Sequence, residues 1–297
     1  MGTEQISPRY FELDNWPTEE MITALYEGQL AAAAAVHSAV GAIAAAVDDA
    51  VPRLRRGGRL VYAGAGTSGR IGVQDGTELS PTFDWPADRL VFAMAGGFDA
   101  LLRSTEDAED NETAGARAMA DANVGADDVV IGIAASGTTP FTIGALRSSK
   151  AAGALTVALA NNPGAPLFEV SHHCILTETG SEVIAGSTRM KAGTAHKVVL
   201  NLFSTAVMVK LGRVYRGLMV DMRARNVKLH RRAIYIVSEI LQCAEREATQ
   251  FVEQADGDVK SAVLLGLGLD PKEARQLLER HGGNLRAAIR ACTSRDD

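Results

Sequence analysis

Gly64-Ala65-Gly66-Thr67-Ser68-Gly69-Arg70 follows the apolar run Leu60–Ala63, and Ala135-Ser136-Gly137-Thr138-Thr139 follows the apolar run Val129–Ile133. Each loop leads into a stretch of helical composition. A turn rich in glycine and hydroxyls between a strand and a helix offers an anion unpaired backbone N–H groups, hydroxyl donors and the positive end of a helix dipole. Either loop alone is weak evidence and reads more readily as an ordinary strand end or helix cap. Two of them in matching positions of one α/β unit fall together at the carboxyl ends of parallel strands, where such sheets bind ligands. A phosphate site built from Gly66, Thr67, Ser68, Ser136, Gly137, Thr138 and Thr139 is therefore expected, with a sugar phosphate the first ligand to consider.

Outward from the two loops the same pattern recurs. Short apolar runs at Leu60–Ala63, Leu90–Met94, Val129–Ile133, Leu155–Ala160 and Cys174–Leu176 alternate with helix-compatible segments, the mark of a parallel sheet covered on both faces. The expected fold is a doubly wound α/β domain with a mainly parallel five-stranded sheet. Residues 1–56 read as an N-terminal helical segment, with Thr18-Glu19-Glu20 opening a helix and the alanine-rich run Leu30 to Val47 a buried helix. Residues 57–220 form the sugar-phosphate domain. A long helical stretch runs through Ala195–Leu211 and ends at Gly212, beyond which there are no strand signals; residues 221–297 divide into a helix over about Arg225 to Ala255 and a small bundle of three: Val259–Leu265, Pro271–His281 and Leu285–Cys292.

Composition narrows the partners. The chain has 297 residues, 46% apolar content and a formal net charge of −6, which suits a large core and opposes nonspecific nucleic-acid binding. The basic run Arg223 to Arg232 reads as a solvated helix face. No secretory leader or uninterrupted apolar span is evident, so a cytoplasmic protein without membrane contact is expected. Cys174, Cys243 and Cys292 are odd in number and far apart, which fits neither a disulfide framework nor a zinc site. No cofactor or metal is called for. Gly64, Gly66 and Gly69 satisfy a dinucleotide spacing, but the next strand ends in Ala95-Gly96-Gly97 where the ribose-binding acid belongs, and no P-loop occurs.

Two acids are placed to do chemistry. Glu78 ends the helix that starts at the first loop, and Glu109 lies in the acidic run Glu106 to Glu112, shortly after Gly96-Gly97. One carboxylic acid and one carboxylate beside a phosphosugar suffice to remove a C–H proton and protonate a leaving oxygen. Solvated acidic helix faces are the plain alternative for both. A third stretch, Glu182 to Lys197, gathers Ser187, Arg189 and Lys191 before a long helix. It reads either as an anion contact or as a capped helix start. His196 reads as packing or surface, with a spare proton carrier the lesser alternative.

Taken together, Gly64 to Arg70, Asp75 to Phe83, Ala95 to Gly97, Glu106 to Asp110, Ala134 to Pro140 and Gly186 to Lys197 resemble the N-acetylmuramic acid 6-phosphate etherase family. Its glucokinase-regulatory relatives share the long turn, within the sugar-isomerase (SIS) superfamily. The resemblance spans almost the whole chain. It implies an SIS-like fold and a lyase that cleaves the C3 D-lactyl ether of N-acetylmuramic acid 6-phosphate during cell-wall sugar recycling, giving N-acetylglucosamine 6-phosphate and D-lactate. By motif position it implies Glu109 as the base at C2, Glu78 as the acid toward lactate and then the activator of water, and Ser68, Ser136 and Thr139 as phosphate holders. Two rivals on the same fold stay open: a catalytically idle sugar-phosphate sensor and an aldose–ketose phosphate isomerase. A straight helix from Arg70 to Glu78 would span about 12 Å, more than one sugar ring, so either the helix breaks early or Glu78 serves a phosphate held elsewhere; with the family's habit as added support, a homodimer with the site completed across the subunit interface is expected.

Overall fold

The five apolar runs become strands because each is continuous, rich in Val, Ile, Leu and Ala, and bounded by turn residues. In this computed structural model, which describes residues 2–103, 107–222 and 227–293, they are β1 (Leu60–Gly64), β2 (Leu90–Met94), β3 (Val129–Ile133), β4 (Leu155–Ala160) and β5 (His173–Leu176). All pair in parallel, in the order β2-β1-β3-β4-β5. The chain reverses direction across the sheet between β1 and β3, so the loops after these two strands flank the crevice where a doubly wound sheet takes its ligand.

The sheet belongs to a unit of Met1–Thr77 and Ala87–Thr205. Its helices include α1 (Thr18–Ala35), α2 (Val40–Arg55) and α3 (Gly66–Thr77). Further along come α5 (Glu112–Asp121), α6 (Pro140–Ala151), α7 (Pro166–Glu169) and most of α8 (Lys191–Lys210). Strand alternation covers both faces: Val61, Ala63 and Val130 pack with Met119 of α5 and Phe141 and Leu146 of α6, whereas Tyr62 and Ile133 lie against α3 at Gly72.

The alanine-rich run departs from expectation. Instead of one buried helix over Leu30 to Val47, α1 and α2 are joined by a tight 3₁₀ step at Val36–Ala39. The whole stretch Thr18–Arg55 is long and apolar enough by length and composition to cross a membrane, yet only 33% of its most apolar window is buried. Ala24, Gly28, Ala32, Ile43 and Val47 face inward, while Ile22, Tyr26 and Leu30 form an exposed apolar stripe at four-residue spacing.

The second unit comprises Glu78–Pro86 and Ala206–Asp297. It contains α4 (Leu79–Phe83), β6 (Val214–Tyr215), β7 (Leu218–Met219), α9 (Val227–Leu241), α10 (Glu245–Gln254), α11 (Val259–Gly266), α12 (Pro271–Arg280) and α13 (Leu285–Thr293). Residues 78–86 are held by Trp85, which is 2% exposed and has the Arg213 guanidinium 5.0 Å over its ring; Arg213 also donates to the Phe83 and Asp84 carbonyls at 2.6 and 3.1 Å. Ile236, Val252, Val263, Leu277 and Leu285 form the core.

Two expectations are corrected here. A two-stranded hairpin exists where no strand was foreseen: Arg216 and Gly217 both take positive φ (50° and 79°), as a two-residue hairpin turn requires, and strands of two residues are too short to show a period. The helix expected over Arg225 to Ala255 is two, because Gln242 enters the left-handed region (φ 53°) and the Glu247 carboxylate accepts from the Ala244 N–H to start α10. Glu106, Arg223 and Arg225 lie outside the described residues; Lys228, Arg231 and Arg232 are exposed on α9.

Candidate active site

The first loop places Gly66, Thr67 and Ser68 in the opening turn of α3, where the first amides of a helix have no intrahelical acceptor. In the second loop the Ser136 hydroxyl accepts from the Thr138 N–H and hydroxyl at 3.1 and 3.0 Å, which tightens the turn. Thr139 precedes α6 without its side chain capping the helix, and Pro140 occupies the first helical position. Gly137 has φ 71°, and a Cβ there would sit 2.2 Å from that of Ala165, so this turn admits no side chain.

These loops meet in space. A cavity of about 450 Å³ is lined by Thr67, Ser68, Ser136, Thr138 and Thr139, together with Glu109, Asp110, Glu4 and Thr188. A second, of about 530 Å³, shares Gly66, Thr67 and Glu109 with it and adds Arg70, Asp107 and Ala100. Arg70 is tied down by donating to the Ala100 carbonyl at 3.1 and 2.9 Å. Glu109 thus stands with both loops, exposed and flanked by Asp107 and Asp110. Glu78 is exposed at the first residue of the second unit, directly after α3, and is not among the residues lining either cavity.

The third stretch divides. Glu182, 1% exposed, points both carboxylate oxygens at the start of α8, accepting from the Lys191 and Ala192 N–H groups at 2.9 Å each. The amides that open this helix therefore serve an internal cap. The Lys191 ammonium donates to the Ser181 carbonyl at 2.8 Å, and desolvation lowers its pKa despite the nearby Glu182. Ser187 is half-buried and Arg189 exposed; Thr188, between them, is the residue of this turn that reaches the cavity.

Two buried polar groups stand behind the first loop. His196, fully buried on α8, places Nδ1 3.5 Å from Ser68 Oγ, and its Nε2 finds no partner among the described residues; burial pushes its pKa down to about 3, so the ring is neutral. Asp75 on α3 accepts from Tyr62 Oη (2.9 Å), Asn201 Nδ2 (2.6 Å) and Ser204 Oγ (3.2 Å). Burial raises its pKa against the pull of those hydrogen bonds. The network clamps the last turn of α3 onto α8. No group of His, Cys, Asp and Glu able to hold a metal ion occurs among the described residues.

A parallel sheet with hydroxyl-bearing loops at its switch point is the layout of the SIS class of α/β domains. Two sequence profiles match the chain accordingly: the glucokinase regulatory protein N-terminal SIS domain over residues 42–150, and the SIS domain over residues 104–206. Over 288 residues the chain is 51% identical to an N-acetylmuramic acid 6-phosphate etherase from Deinococcus radiodurans, covering 97% of this chain and 94% of that one. It is 45% identical to one from Salmonella dublin, covering 97% of each. The chain belongs to the N-acetylmuramic acid 6-phosphate etherase family. Among solved structures, a phosphoheptose isomerase from Francisella tularensis superposes with a TM-score of 0.49 at 18% identity, covering 65% of this chain and 100% of that one.

Proposed function

We propose that this protein cleaves the D-lactyl ether of N-acetylmuramic acid 6-phosphate, consuming one water and releasing D-lactate and N-acetylglucosamine 6-phosphate. The observation that carries the reading beyond family membership is that one cavity gathers both hydroxyl-bearing loops and Glu109. The phosphate is assigned to the amides and hydroxyls of Gly66, Thr67 and Ser68 and of Ser136, Gly137, Thr138 and Thr139. Arg189, beside Thr188, is the cation offered to a substrate carboxylate, as Ser187 is a hydroxyl; Lys191, tied to Ser181, supports the turn.

In the ring-opened sugar the C1 aldehyde acidifies the C2 proton. Glu109 removes that proton, the C3–O bond breaks with its electron pair leaving on lactate, and Glu78 protonates the departing oxygen. Water activated by Glu78 then adds at C3 of the unsaturated aldehyde, and the C2 proton is restored. Because α3 is unbroken from Gly66 through Thr77, Glu78 is carried about 12 Å along the helix from Arg70. Glu78 is accordingly assigned to a site in a second copy of the chain, and the apolar stripe Ile22, Tyr26 and Leu30 gives a dimer a surface to bury. A cytoplasmic location goes with this reading, since a phosphorylated sugar does not cross a bilayer unaided.

Incubation with N-acetylmuramic acid 6-phosphate in deuterated water tests the assignment. The expected result is lactate release with deuterium at C2. Exchange without lactate would point to an isomerase, and binding with neither product to a sensor.

A further inference from the structure

We infer that Glu4 is a specificity-determining residue of this site, a hydrogen-bond acceptor for the hydroxyl groups of the bound sugar. The inference deepens the proposed function and rests on its placement of the phosphate. Glu4 lines the cavity formed by the two loops, about sixty residues from the nearer loop in sequence. It is held there by its neighbour. Thr3 is 0% exposed; its N–H donates to Asn162 Oδ1 at 3.3 Å, and its hydroxyl accepts from Asn162 Nδ2 at 3.1 Å. Asn162 Nδ2 also donates to the Ala135 carbonyl at 2.9 Å, and the Gly186 N–H donates to the Thr3 carbonyl at 3.1 Å. The N-terminal strap is thus fastened both to the second loop and to the turn that carries Thr188.

Room for the carboxylate is made at Gly186, where a Cβ would lie 2.8 Å from Glu4 Oε2 at a φ of 76°. An ionised carboxylate only accepts hydrogen bonds. Next to a phosphate dianion it is repelled, so its favourable partner in this cavity is a neutral donor, and the hydroxyls of a sugar are donors. A carboxylate so placed penalises a bare anion and rewards a polyhydroxylated one.

Calorimetric titration with N-acetylglucosamine 6-phosphate and, separately, with inorganic phosphate tests this without needing turnover. Glu4→Gln and Glu4→Ala are expected to weaken sugar-phosphate binding about 10- to 100-fold while leaving phosphate binding equal or tighter. Gly186→Ala, which keeps the charge but displaces the carboxylate, is expected to weaken the sugar phosphate alone. Equal weakening of both ligands in the Glu4 variants would reduce Glu4 to a structural strap, and no change in either would remove it from the site. If wild-type protein releases no lactate yet prefers the sugar phosphate through Glu4, the etherase reading falls and this one stands; lactate release with Glu4 variants that bind as wild type does the reverse.

Discussion

The duties proposed for Glu109 and Glu78 are separable at the scale of single residues. Glu109→Gln is expected to lower both C2 exchange and lactate release by about 10²- to 10⁴-fold, whereas Glu78→Gln is expected to keep exchange and lose lactate; NMR of both variants in deuterated water distinguishes them, and identical behaviour would refute the assignment. His196 makes a prediction about pH. Its folded pKa of about 3 lies below the ordinary 6.5, so between those values the unfolded chain binds a proton that the native chain does not. That group therefore adds no penalty above pH 6.5, and stability is lost as pH falls below it, by about 1.4 kcal/mol per unit. Urea denaturation at pH 7, 6 and 5 should show the wild type losing more stability than His196→Gln.

Between elements, the decisive contacts are those that hold loops to helices. Glu182→Ala strips two amides at the start of α8 of their acceptors inside a buried site and is expected to cost about 1–3 kcal/mol, read as a lowered urea midpoint. Glu182→Gln should recover part of it. The strands were legible in the sequence because continuous apolar runs between glycines have few other uses, and their loops were legible because glycine and hydroxyls were adjacent along the chain. The β6–β7 hairpin was not, since two-residue strands carry no periodicity. Nor were Glu4 and Thr188 found: Glu4 reaches the cavity through the Thr3–Asn162 clasp, a contact 159 residues apart in sequence, and Thr188 was overshadowed by its charged neighbour Arg189. The Glu182 cap lay within the alternative that read the third stretch as a capped helix start, but nothing local distinguished that acid from a solvated one.

For the whole molecule, the apolar stripe on α1 sets the test of assembly. Leu30 is 53% exposed, and if the proposed dimer forms through this stripe, Leu30→Glu should leave the fold intact while shifting sedimentation from dimer toward monomer and lowering lactate release in step; a monomeric wild type with full activity would refute the proposed shared site. The pairing of Trp85 with Arg213 has a different consequence, in the time order of synthesis. The segment that begins with Glu78 belongs to a unit completed only by the C-terminal part of the chain. At ribosomal speeds of about 5–20 residues per second, Trp85 waits on the order of ten seconds for its guanidinium. Until then a nascent chain has both hydroxyl-bearing loops but has not fixed the segment that carries Glu78; under the roles proposed above, ligand capture would precede competence to cleave, and a translation product halted before Arg213 would bind the sugar phosphate without consuming it.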